Sequence, residues 1–254
     1  MLEHFLVSQI FAFLLIFCRV GSGIMALPGF GESYVPVNIR LCFALLICLI
    51  LTPALGNKMP PLPSSSIILA LLIANEVLVG IFIGSLCKIL ISVMHIAGSI
   101  IAMQAGVSSA VVFDPNQRSQ GPIIGNFLSL VTLVMIFGMG LHYLMLRAVV
   151  ESYVVFVPGH FPPLNDFVGT IVRLTSQSFT MAVQLSAPLI IAGTLLFLGA
   201  GILARLMPTV QIFFLITAPQ VLIGFFILIT AFSALMLFYM DFYREKIMSI
   251  LGYL

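Results

Sequence analysis

Glu76 is the one carboxylate set in the middle of an apolar stretch of this chain, with Asn75 beside it and Gly80 and Gly84 following at four-residue steps. An acid at membrane depth is expensive, so it either serves a proton or substrate pathway or sits neutral or paired as a packing element. No second acid and no basic partner stands close by in the sequence to complete a relay, which favours packing. His95 and His142 stand singly in apolar surroundings, without the further His, Cys or carboxylate ligands at short helical spacing that a metal needs. Ser99, Ser108 and Ser109 follow His95 closely, yet no third orienting group or oxyanion motif accompanies them. H-E-x-x-H, G-x-S-x-G and phosphate-cradling glycine motifs are absent. Cys18, Cys42, Cys48 and Cys87 lie in apolar runs without C-x-x-C spacing and read as small hydrophobes. The expectation is a protein without catalytic residues, metal or cofactor.

A different kind of chemistry is written into residues 98–122, GSIIAMQAGVSSAVVFDPNQRSQGP. Gly98, Ala102 and Gly106 recur every four residues, which gives one helix face small enough for close approach to another helix. Helical character then fades through Val107, Ser108, Ser109, Ala110, Val111, Val112 and Phe113, before Asp114-Pro115. Such a loop is too apolar for water. Its backbone cannot face lipid either, because each unpaired N–H or C=O there costs several kcal/mol. It must be buried in protein or line a cavity, and an apolar constriction can block ions by dewetting without any charged side chain. This segment is therefore read as the gate of a conduit, with Val111, Val112 and Phe113 on the loop as the candidates for its seal.

The elements that would position these residues follow from composition. The 254 residues are 61% hydrophobic and only 7% charged, against a charged share of about 25% in soluble domains; mean hydropathy is +1.25. This is an integral membrane protein. A net charge of +2 without any Lys/Arg run gives nucleic acid no basic patch. Apolar runs of spanning length, about 20 residues, cover 5–18 (continuing through Arg19 to 24), 39–55, 67–87, 123–146, 174–204 and 206–240, with 89–112 a weaker seventh. Pro28, Pro36 and the glycines between 21 and 31 break the chain after the first run, and Met59-Pro-Pro-Leu-Pro63 forms a stiff connector. Pro158, Gly159, Pro162 and Pro163 mark the longest polar connection, with Asn165 or Asp166 as a cap beyond it. The last two runs meet at Arg205-Leu-Met-Pro208 as a long helical hairpin whose members are tilted, kinked at Pro188 and Pro219, or continued outside the lipid. Lys/Arg counts on alternate loops, with Arg19 taken as a loop charge, tie and assign no orientation.

These residues together resemble a known family, the FliR/SctT export-gate proteins of type III secretion. The resemblance rests on Arg19, Pro28-Gly-Phe-Gly31, Val35-Pro36 and Ile39-Arg40 in the first linker, and on Glu76, Gly80 and Gly84 in the third run. It is densest at Gly98, Gln104, Gly106, Ala110, Asp114-Pro115, Gln120, Pro122, Gly125 and Phe127. It continues through Gly140, His142, Ser152, Pro158-Gly159, Ala187-Pro188, Gly201, Arg205, Pro208, Phe213, Pro219 and Gly224. Ala105 and Ser109 stand where the family usually carries bulkier Met and Phe, so the seal shifts toward Val112 and Phe113.

The resemblance implies an all-α, membrane-associated fold of about six to seven hydrophobic helices with non-standard membrane topology. Residues 1–177 would form a FliP-like helical region holding the plug loop at 106–121, and residues 178–254 a FliQ-like long helical hairpin. It further implies a subunit of the flagellar type III protein-export gate in the bacterial inner membrane and flagellar basal body. Its partners would be FliP-like and FliQ-like subunits, a FlhB-like export-switch protein, the basal-body ring and unfolded proteins in transit. Glu76, Gly80, Gly84, Gly98, Ala102, Gln104, Arg205, Pro208 and Pro219 would hold helices and neighbouring subunits together. The alternative from the residues themselves is a self-contained secondary transporter using Glu76 and the broken helix near Gly106. Against it, the chain has no detectable repeat with two matching broken helices.

Overall fold

A computed structural model describes residues 2–107, 123–162, 164–207 and 212–253. Among these it is all α-helical: α1 Leu2–Ala26, α2 Val37–Leu55, α3 Ser66–Gln104, α4 Ile123–Gly138, α5 His142–Val155, α6 Leu164–Leu206 and α7 Ile212–Tyr253, with a 3₁₀ turn at Gly56–Lys58. Five of these helices are long and apolar enough to cross a membrane, and six spans result if the bent pair α4–α5 counts as one.

Three boundaries differ from the sequence expectation. The runs at 67–87 and 89–112 are one helix as far as Gln104, because Lys88 is a good helix former and neither Gly nor Pro separates them. The run at 123–146 is instead two helices bent by 75°. Gly140 sits there at φ +73°, a left-handed conformation that ends α4. Asn165 and Asp166 lie inside the first turn of α6, one and two residues past its start, rather than ahead of it.

The chain forms two compact units from interleaved segments. The first comprises Met1–Leu90, Ile136–Leu174 and Arg244–Leu254. In α1, Phe11 and Leu15, and Ile16, Val20 and Ile24, are buried at four-residue steps, an inward stripe that Leu27 continues just past the helix end. The helix stops where Leu27 meets Pro28, and Gly29 turns the chain at φ +84°. Against α1 lies the first part of α3, which buries Val79, Ile83, Leu86 and Leu90. Lipid tails are as apolar as leucine, so apolar burial alone does little to join two helices there, and close backbone approach matters more. Small residues supply it. A Cβ on Gly80 would overlap the Ser22 hydroxyl and the Arg19 carbonyl, and one on Gly84 would overlap Ala26. Phe82 stacks on Phe167 at 3.7 Å between ring centroids, and Phe30 stacks on Phe43 at 5.3 Å.

The second unit comprises Ile91–Met135 and Thr175–Tyr243. Its core uses Val93, Met94, Ala97 and Ile101 from α3, Met181, Leu185 and Leu189 from α6, and Met236, Tyr239 and Tyr243 from α7. Gly98 faces Gly125 of α4 with no room for a side chain between the two backbones.

Helices α3, α6 and α7 contain 39, 43 and 42 residues. At the helical rise each is about 60 Å long, roughly twice the hydrocarbon thickness, more than ordinary tilt absorbs. Parts of them therefore extend beyond the lipid core. The early part of α6 fits this, since Asp166, Thr170, Arg173, Gln177, Thr180 and Gln184 recur at alternating four- and three-residue steps and are all exposed.

Candidate functional site

Two polar arrangements stand out in this apolar molecule, one in each unit. In the first, Arg19 of α1 and Glu76 of α3 are both fully buried, and Arg19 Nε donates to Glu76 Oε2 at 2.6 Å. Arg19 Nη1 donates to the Phe156 carbonyl at 2.9 Å and the Ser152 carbonyl at 3.2 Å, and lies 3.4 Å from Ser152 Oγ. Those carbonyls belong to the C-terminal end of α5, which closes at Val155. The Ser152 carbonyl already accepts from Phe156 N at 2.8 Å and takes the guanidinium as a second donor, and the C-terminal end of a helix carries the negative end of its dipole, so a guanidinium there is both a cap and a charge partner. The guanidinium carbon also sits 4.2 Å from the centroid of the Tyr153 ring, a cation–π contact in a dry setting. One side chain thus ties α1, α3 and α5 together. Beside it, Asn75 Nδ2 donates to the His160 carbonyl at 2.8 Å and fastens the Pro-rich connection to α3.

The sequence offered Glu76 but not its partner. Arg19 lies 57 residues away and is not a loop charge: it belongs to the interior of α1, and the loop tally changes accordingly. Two lone charges of opposite sign inside apolar runs were the available signal, since neither is affordable alone at that depth.

The second arrangement lies at the end of α3. Gln104 is its last residue, Ala105 N donates to the Ile101 carbonyl at 2.8 Å, and Gly106 N donates to Met103 O at 3.2 Å. Gly106 then leaves at φ +73°. Gln220 Nε2 of α7 donates to the Gln104 carbonyl at 2.9 Å. A Cβ on Gly106 would come within 3.0 Å of the Gln220 carboxamide carbon. Glycines on both hairpin helices make room: Gly193 of α6 receives the Gln104 side chain and Gly224 of α7 receives the Ala105 methyl. Gln220 was not singled out in the sequence. Its signal is an amide directly after Pro219 in an otherwise apolar run.

The remaining sequence candidates divide as follows. Gly80 and Gly84 face α1 in the first unit; Gly98, Ala102 and Gln104 lie in the second, where Ala102 is buried. Val107 is half-buried, just beyond Gly106. Arg205 is exposed in the last turn of α6, where a cation suits the helix dipole, and Pro219 is exposed within α7. Ser108, Ser109, Val111, Val112, Phe113, Asp114, Gly121 and Pro208 lie outside the described residues. His142 stacks on Phe137 at 4.9 Å, a packing position. Among the described residues no three His, Cys, Asp or Glu side chains gather where a metal could be held.

Residues 10–245 match the model of the family described as bacterial export proteins, family 1. The chain is similar to the flagellar biosynthetic protein FliR of Caulobacter vibrioides, 36% identical over 237 residues covering 93% of this chain and 94% of the relative. It is 31% identical to FliR of Bacillus subtilis, covering 88% and 87% of the two chains. With the Yop proteins translocation protein T of Yersinia pestis it shares 30% identity over 66% of this chain and 65% of that protein. A single family match from residue 10 to residue 245 takes in both polar arrangements and every helix, and the chain therefore belongs to family 1 of the bacterial export proteins, the FliR/SctT family.

Proposed function

We propose that this chain is a structural and gating subunit of the flagellar type III protein-export gate, with no catalytic step of its own. The observation that carries the proposal is the family match, which makes the chain a component of a type III export apparatus. In this reading residues 106–121 are a plug contributed to the pore, with Val111–Phe113 as the apolar seal and Gly106 and Gly121 as hinges. The left-handed exit at Gly106 supports a hinge there. FliP-like and FliQ-like subunits surround the chain, a FlhB-like switch protein and the basal-body ring adjoin it, and unfolded proteins pass through. Residues 1–177 act as the FliP-like part and residues 178–254 as the FliQ-like hairpin, joined within the unbroken helix α6. The assembly sits in the bacterial inner membrane at the flagellar base. Helices about twice as long as lipid requires support a position partly outside the bilayer plane.

The test is deletion of residues 107–121 in the assembled gate, reconstituted for conductance and assayed for export in cells. The expected result is ion leak or blocked export with assembly intact. Unchanged conductance together with unchanged export overturns the plug. Isolation of the chain as a stable, active monomer would instead favour a self-contained transporter.

A further inference from the structure

We propose that Gln220 is a latch that fixes the root of the gate segment to the terminal hairpin. This rests on the gate reading of residues 106–121 and adds to it a residue that controls the segment's attachment.

The last carbonyls of a helix lack intrahelical donors, and most helices satisfy them locally or with water. At the end of α3 the Gln104 carbonyl takes its hydrogen from a side chain 116 residues further along, Gln220 Nε2 at 2.9 Å. Gln220 is 8% exposed, so water competes poorly for this bond. The surroundings are shaped for the same grip. Ala105 enters the space left by Gly224, the Gln104 side chain enters the space left by Gly193, and Gly106 lies over the Gln220 carboxamide at φ +73°. Three consecutive residues of the chain are thus held by two helices of the hairpin within one compact unit. Gly106 is thus the first residue of the gate segment, and the rest of it follows from Val107. Any withdrawal of the segment that unwinds the end of α3 must first break the Gln220 bond, and any shift of α7 at Pro219–Gln220 pulls on Gln104. Pro219 lacks the N–H that would tie this turn of α7 to the preceding one. The amide therefore sits at a turn of α7 that is short of one intrahelical hydrogen bond.

The experiment uses the assembled complex and two variants. Gln220→Met keeps side-chain length without a donor, and Gln220→Glu replaces the donating amide by an acceptor. Hydrogen exchange is followed at the amides of Ala105 and Gly106, whose bonds close the last turn of α3. Loss of one hydrogen bond, worth about 1 kcal/mol net, predicts roughly fivefold faster exchange at these amides. Amides around Gly80 and Gly84 serve as an internal reference and stay unchanged. Equal exchange in the variants and the parent overturns the latch. Conductance of the same samples, beside the 107–121 deletion, separates the two readings. A deletion that fails to leak overturns the gate, whereas the exchange rates decide the latch whatever the conductance shows.

Discussion

Gly84 of α3 faces Ala26 of α1 so closely that a Cβ on the glycine would overlap the alanine's methyl. With Gly80 against Ser22 and Arg19 one turn earlier, this makes a seam of backbone contact between the two helices. Gly84→Ala is expected to cost about 1–3 kcal/mol through overpacking, and Ala26→Gly in the same chain to recover most of it. Gly169 of α6 has nothing within 4 Å of where a Cβ would stand. Gly169→Ala is expected to be neutral or to gain up to about 1 kcal/mol of helix propensity. Denaturation midpoints in detergent would check the series.

The Arg19–Glu76 pair predicts asymmetric effects. Glu76→Gln leaves a buried guanidinium without its counter-charge, at an expected cost of about 3–5 kcal/mol, whereas replacing both residues by Met recovers much of that loss. Exchanging the two residues does not, because a carboxylate at position 19 would meet the Ser152 and Phe156 carbonyls. Arg19→Lys also fails, since one ammonium cannot reproduce the planar fork that serves Glu76 and α5 together. Thermal unfolding and the yield of assembled complex measure these effects. Normal assembly with abolished transport in Glu76→Gln would favour the transporter reading instead.

At Gly106 the left-handed backbone and the Gln220 carboxamide act together. Gly106→Ala is expected to cost about 1–2 kcal/mol from conformation alone, and Gly106→Asn less on that count because asparagine tolerates this region. Comparison of the two variants by unfolding midpoint, beside conductance, separates conformational strain from crowding at Gln220.

The break between α4 and α5 depends on one glycine of two. Gly140 is at φ +73° with the Tyr143 ring 3.6 Å from a prospective Cβ, while Gly138 has open space around it. Gly140→Ala should destabilise the chain by about 1–2 kcal/mol and Gly138→Ala should leave its unfolding midpoint nearly unchanged.

Much of the helix inventory was legible because membrane helices announce themselves by length and apolarity, and because prolines at 28, 36, 60, 61, 63, 158 and 162 end them. The small faces at Gly80, Gly84 and Gly98 were legible from four-residue spacing. What escaped were features that need a second chain position to define them. The continuity of α3 through Lys88 was hidden because a lone cation looks like a boundary in a hydropathy trace although it costs a helix nothing. Arg19 looked like a flank for the same reason. Gln220 is unremarkable until its amide is seen to donate to the Gln104 carbonyl, 116 residues away in the chain. The bend at Gly140 was written in two nearby glycines, yet sequence alone does not tell which of them turns left-handed.

The buried pair also imposes an order on the making of the protein. When α1 leaves the ribosome it carries a cation that costs about 2.5–3.5 kcal/mol at the centre of a bilayer, and its counter-charge is still 57 residues from being synthesised. The carbonyls that complete its coordination arrive only with α5, 133 to 137 residues later. The other residues of the first helix are apolar enough to offset that cost, so the arginine's partners add to an insertion that is already favourable. The counter-charge comes with α3 and the carbonyls only with α5, so the burial of Arg19 is completed in two steps as the later helices are made.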